Sequence, residues 1–202
     1  MSLYLIILIA TVAVSVLSFN QRDLYVKLLF SPYEIQRKKQ WYRFFTYGFV
    51  HADFIHLFVN MWVLYIFGDA VENTLFFLFS QKGMLYFSLL YTGGLAFSTL
   101  YAFGKHRNNY TYSAVGASGA VSSVVFAYIM MYPLAGLMIF PFPFEIPAFV
   151  FGLLYIIYSW IMARRGKDNI GHDAHLFGAL YGIVFIIIVY PDFLKLFIKQ
   201  VF

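Results

Sequence analysis

Cysteine is absent from the chain, which excludes a disulfide framework and a thiolate metal site and leaves the redox compartment open. Charge is scarce: 11% of residues are charged, against about 25% in soluble globular domains. No glycine-rich loop that could cradle a phosphate occurs, and no Lys/Arg tract carries interleaved aromatics, so nucleotide and nucleic-acid readings have no support. The opening MSLY lacks a basic n-region, and the run Leu3–Phe19 ends in Phe-Asn-Gln-Arg where a cleavage site needs small residues. That run is expected to be a retained first helix. No internal repeat is apparent.

What is abundant is hydrocarbon. Apolar residues make up 62% of the chain, and they are gathered into long runs, the mark of a polytopic membrane protein. Aromatics reach 22%, with many Tyr and Trp near segment ends where interfacial belts form. Six segments approach the ~20 residues a bilayer demands: about 3–19, 54–79, 84–103, 116–136, 146–163 and 174–190. The reading is an all-α membrane protein, a single domain over 1–202 built as a six-helix transmembrane bundle. The connection 20–53 holds Arg22, Lys27, Arg37, Lys38, Lys39 and Arg43, together with LYVKLLF and WYRFFTYGFV. So much apolar content predicts a first loop associated with the membrane surface. The connection 137–145 (LMIFPFPFE) is punctuated by proline, and 164–173 (RRGKDNIGHD) is polar. The odd-numbered loops carry 11 of the 14 Lys/Arg, which by the positive-inside rule would make their side cytoplasmic.

Polar side chains inside membrane segments are costly, so each is a functional candidate. The second, fourth and sixth segments all start from the side of the odd loops. His56, Ser118 and His175 lie at those three starts and therefore at one membrane face. Asn60 is four residues beyond His56, on the same helical face and a turn deeper. Ser118 shares its face with Ser122, and His175 with Gly178 and Gly182, a GxxxG pair that lets a neighbouring backbone come close. Against the fourth segment, where Gly116 and Gly119 flank Ser118, imidazole and hydroxyl could meet. Taken singly, a serine among glycines is a packing device and a membrane histidine a structural one. The coincidence of depth and face puts chemistry ahead of packing. Ser118 would be a nucleophile activated by His175 as base, with donors for an oxyanion in the Ser118 amide, His56 and Asn60. Each such donor is typically worth ~3 kcal/mol. Asp173 points off the face of His175, so a Ser–His dyad is expected and not a triad. Hydrolysis needs water, so the residues should line a polar cavity open to the odd-loop side.

This set of motifs resembles the rhomboid family of intramembrane serine proteases. The resemblance rests on Gly116-x-Ser118-Gly119, His51-x4-His56-x3-Asn60, Phe67-Gly68-x3-Glu72 and Ala174-His175-x2-Gly178-x3-Gly182, in order along most of the chain. It implies a fourth helix that starts deep near the centre, Ser118 as nucleophile, His175 as general base and acid, and His56, Asn60 and the Ser118 amide as oxyanion stabilisers. Tyr42–Arg43 stands where the family often has Trp–Arg, with Trp41 one position early. Gly116 and Gly119 would turn the backbone into the fourth helix and admit the sixth. Arg43 and Glu72 would be structural supports. Substrates would be single-pass membrane proteins cut in or near their transmembrane segment, with no metal or organic cofactor and no nucleic acid. The compartment implied is a bacterial inner membrane with the serine side outward, against the Lys/Arg bias. One departure stands out. Well-known bacterial members place an aromatic ring four residues after the nucleophile, against the imidazole, and here that position is Ser122. Two other readings compete: a non-catalytic rhomboid-like protein that binds membrane clients, and a metal-handling protein using His172 and His175 with His51 and His56.

Overall fold

The computed structural model describes residues 2–138, 144–165 and 171–202. Of the two connections singled out above, residues 139–143 and 166–170 lie outside the described residues. Helix α1 (Leu3–Asn20) is followed by three short helices in the first loop: α2 (Arg22–Leu28), α3 (Pro32–Lys38) and α4 (Arg43–Thr46), the last running into a 3-10 turn at Tyr47–Phe49. Then come α5 (Phe54–Phe79), α6 (Gln81–His106) and α7 (Ser118–Met131). Strands β1 (Gly136–Met138) and β2 (Glu145–Pro147) pair antiparallel, Leu137 opposite Ile146. Helices α8 (Ala148–Arg165), α9 (His172–Val189) and α10 (Asp192–Val201) complete the chain.

Among the described residues, α1, α5, α8 and α9 are long and apolar enough to cross a membrane. Helix α7 is not, and here the sequence expectation of 116–136 needs correction. The helix opens at Ser118 and closes at Met131, so its 14 residues reach about 21 Å, short of the ~30 Å hydrocarbon core. Of those residues 12 are buried, which makes α7 the central helix of the bundle. An apolar run cannot distinguish a helix facing lipid from one enclosed by protein.

The helices around α7 pack through small residues. A Cβ at Gly178 would overlap the carbonyl oxygen of Gly119, and one at Gly182 would overlap that of Ser123. The two contacts keep one register, so α7 and α9 run parallel with backbones touching. On the opposite side α6 meets α7 antiparallel: Gly94 lies against Ser123 and Ala120, and Ser98 against Gly119.

Several polar groups fix this arrangement. The carboxylate of Glu72, buried within α5, accepts from the amides of Leu3 (2.8 Å) and Tyr4 (2.7 Å). Those amides have no partner within α1, and its N-cap Ser2 makes no side-chain cap, so a residue of α5 caps α1 from outside. In the first loop, Arg43 is only 5% exposed and donates to the carbonyls of Val26 (2.9 Å) and Leu29 (2.6 Å) and to Gln40 Oε1 (2.7 Å). Together with Thr46, which donates to Leu28 O at 2.8 Å, it closes the C-terminal end of α2. Helix α3 begins at Ser31-Pro32-x-Glu34, with Ser31 Oγ accepting from the Glu34 amide and proline at the first helical position.

Candidate active site

The segment leading to Ser118 is held as an extended strand by the first loop. Phe30 and Ala114 exchange both backbone hydrogen bonds, at 2.9 and 3.0 Å, and the Gly116 amide donates to Tyr47 O at 3.0 Å. Gly116 then turns the chain with φ +108°, a conformation that side chains with a Cβ rarely adopt. It has a second reason to be glycine, because a Cβ there would lie 2.5 Å from Cε1 and 2.7 Å from Nε2 of His56. Ala117 follows as the N-cap, and Ser118 is the first residue of α7. Among the described residues no acceptor in the chain takes the Ser118 amide, one of the amides that a helix start leaves unpaired.

His51 fixes this turn. It is fully buried, and its Nε2 accepts from the Ala117 amide at 3.3 Å while Nδ1 lies 2.9 Å from Ser15 Oγ. The Ser15 hydroxyl spends its proton on Phe49 O at 2.8 Å, so towards the imidazole it can only accept. Nδ1 therefore carries the hydrogen and the ring is the neutral tautomer. Burial is the main cause that pushes the His51 pKa down to about 3, with the neighbouring His56 adding to it and Asp53 opposing. A protonated ring would present a hydrogen to the Ala117 amide and release the turn. The sequence reading valued His51 only as a motif member and a possible metal ligand, and missed this role. Its signal was weak, because Ser15 and Ala117 are far from it in the chain.

His56 enters from the start of α5, where Asp53 caps the helix by accepting the His56 amide at 2.7 Å. Its ring stands edge-on to His51 at 5.0 Å and lies against Gly116. Asn60 is buried one turn further and donates to the His56 carbonyl at 2.9 Å, leaving its second amide hydrogen available.

His175 comes from the first turns of α9. Its neighbour Ala174 has its carbonyl 3.5 Å from the Cβ site of Gly119, so His175 and Ser118 sit on adjoining positions of two touching backbones. Among the described residues, no hydrogen bond joins the Ser118 hydroxyl to the imidazole. Ser118, His56 and His175 are each partly exposed, while His51 and Asn60 behind them are buried. By the register of α7 and α9, Ser118 lies about 8 Å below the start of α9. The missing side chain of Gly119 also makes room for Ser98 of α6, while Gly178 and Gly182 are the α9 residues that come against the backbone of α7. Among the described residues no three His, Asp or Glu side chains are grouped as a metal site.

Tyr155 of α8 was also missed. Its ring is inclined at 27° to that of His175 with centroids 6.3 Å apart, an offset stacked pair, and its hydroxyl is 2.7 Å from Ser122 Oγ. The available signal was a pair of i, i+3 spacings, Tyr155/Tyr158 and His172/His175, which antiparallel helices can bring face to face.

Residues 38–192 match the rhomboid domain family. The chain is also similar to RHOMBOID-like protein 12, mitochondrial, of Arabidopsis thaliana, with 29% identity over 142 residues. That stretch is 66% of this chain and 42% of the relative, so the chain spans less than half of that protein's length. The family match takes in the end of the first loop, the buried turn into Ser118 and all of α5 to α9. The chain belongs to the rhomboid family and is a multi-pass integral membrane protein.

Proposed function

We propose that the protein is an intramembrane serine endopeptidase that cuts single-pass membrane proteins in or near their transmembrane segment. The observation that supports this is the backbone contact of Gly178 with Gly119, three residues from His175 and one from Ser118, whose amide has no acceptor among the described residues. Ser118 Oγ attacks the scissile carbonyl while His175 takes its proton. The oxyanion that forms draws on the Ser118 amide, the second amide hydrogen of Asn60 and the ring of His56. His175 returns the proton to the leaving amine, and a water then opens the acyl ester by the same route. In this reading α6 is a fifth crossing and α7, together with the non-helical chain that leads into Ser118 and out of Met131, makes the sixth inside the bundle, with the first loop at the surface of a bacterial inner membrane. The partly exposed rings at one end of the bundle favour water entry from that side.

The missing hydrogen bond between Ser118 and His175 favours a second reading, a rhomboid-like protein that binds membrane clients without turnover. Fluorophosphonate labelling of wild type and Ser118→Ala separates the two, followed by cleavage of single-pass substrates in proteoliposomes beside His175→Ala. Labelling and cleavage that both vanish on Ser118→Ala are expected. Wild type that labels no better than Ser118→Ala, and cuts nothing, would leave the client-binding reading.

A further inference from the structure

Four rings lie between α8 and α9. Tyr155 covers His175, and Tyr158 stands edge-on to His172 with centroids 5.5 Å apart. The pairs share one antiparallel register, three residues forward on α8 for three back on α9. Tyr155 is held from three sides. Phe126 of α7 meets it at 5.5 Å, Phe151 meets it at 5.9 Å from the preceding turn, and the Ser122 hydroxyl hydrogen-bonds its phenol at 2.7 Å. Ser122 is itself 5% exposed and sits one turn below Ser118 on the same face of α7. The hydroxyl of α7 that follows the nucleophile therefore orients a ring on α8, and that ring covers the imidazole on α9.

We infer that Tyr155 is a positioning residue for His175, and that Ser122 sets the place of its ring. This rests on the reading of Ser118 and His175 as the reacting pair. An imidazole on a membrane helix can rotate about its two side-chain torsions. Here, among the described residues, it has no hydrogen bond to Ser118 to hold it; His172 stands edge-on to it at 6.0 Å, and the stacked neighbour, itself fixed by a hydrogen bond, limits rotation on the other side. The aromatic ring expected four residues after the nucleophile is thereby supplied from another helix, and the serine found in its place has a purpose. A bulky ring at position 122 would collide with Tyr155.

The test has one readout that depends on reactivity and one that does not. Full-length protein in detergent is titrated with a fluorophosphonate probe to separate the maximal labelling rate from the half-saturating concentration. His175 is followed by NMR of histidine-labelled protein, with its signal assigned by its loss in His175→Gln. Tyr155→Leu is expected to lower the maximal rate about 10- to 100-fold with half-saturation unchanged, the size of effect that follows a small misplacement of a reacting group. It should also remove the ring-current shift on His175. Tyr155→Phe keeps the ring and should recover most of the rate. Its remaining deficit, about 3- to 10-fold, should match that of Ser122→Ala, and the double variant should be no worse than either, since all three lose one hydrogen bond. Tyr155→Leu that labels at the wild-type rate, with the His175 signal unmoved, would overturn the assignment and leave the hydrolase reading intact. Wild type that fails to label while the ring-current shift is present would overturn the catalytic role and the hydrolase reading together, with the ring pair still in place.

Discussion

Gly178→Ala should separate the reacting pair with one methyl group. The new Cβ would overlap the Gly119 carbonyl oxygen and stand 2.9 Å from its carbon and 3.1 Å from its Cα. Carbon atoms rest at about 3.5–4.0 Å, so α9 must retreat from α7 by about 1 Å. Nothing else can yield, because every atom struck is backbone. His175 lies less than one turn from Gly178 and moves with it. A misplacement of that size costs about 100-fold in rate where two groups must meet in one geometry. The lost contact between backbones should also lower stability, by about 1–3 kcal/mol as overpacking does elsewhere. The assay is fluorophosphonate labelling of Ser118 beside thermal unfolding in the same detergent. Gly182→Ala strikes Ser123 one turn deeper and should lose comparable stability with a smaller loss of labelling. If Gly178→Ala labels at the wild-type rate while remaining folded, the backbone contact is not what brings His175 to Ser118.

Three further outcomes follow from single polar groups. The neutral ring of His51 binds its proton less readily folded than unfolded, so its contribution is complete above the ordinary pKa of 6.5 and is lost as pH falls from there towards 3. That span is worth on the order of 5 kcal/mol, and the gap in melting temperature between wild type and His51→Asn should shrink steadily from pH 7 to pH 4. Glu72→Gln leaves one of two amides at the start of α1 facing an NH2 group in place of a carboxylate oxygen. A loss of about 1–3 kcal/mol is expected, read as a lower unfolding temperature. Arg43→Lys offers a point charge where a planar fork reaches three acceptors, so limited proteolysis should cut the first loop sooner while α5 to α9 remain protected.

The positions of the long helices could be read from the apolar runs, because burying or greasing a helix writes itself into local composition. Two ends could not. Helix α6 extends to Gln81 and His106 and α9 begins two residues early at His172, since polar residues at helix ends carry no apolar signal. Helix α10 also escaped, because its apolar residues are interrupted by Lys195 and Lys199 and make an amphipathic helix, not a span. The three short helices of the first loop were hidden in the same way, since each owes its place to Arg43, Thr46 or Ser31.

The order of Gly116-x-Ser118-Gly119, His56-x3-Asn60 and His175-x2-Gly178-x3-Gly182, and the place of each near the start of an apolar segment, are properties of the chain alone. They depend only on residue type, helical period and the pattern of apolar runs. Which surfaces touch is a property of the folded state. That Gly119 faces Ser98, that His51 holds Ala117 while leaning on Ser15, and that the ring of Tyr155 faces that of His175 each join residues between 20 and 66 positions apart. Periodicity assigns a residue to a face of its own helix and says nothing of which helix lies opposite. Only the packing of α6, α8 and α9 around the short, enclosed α7 decides that, because the small residues permit several neighbours and the bundle selects one.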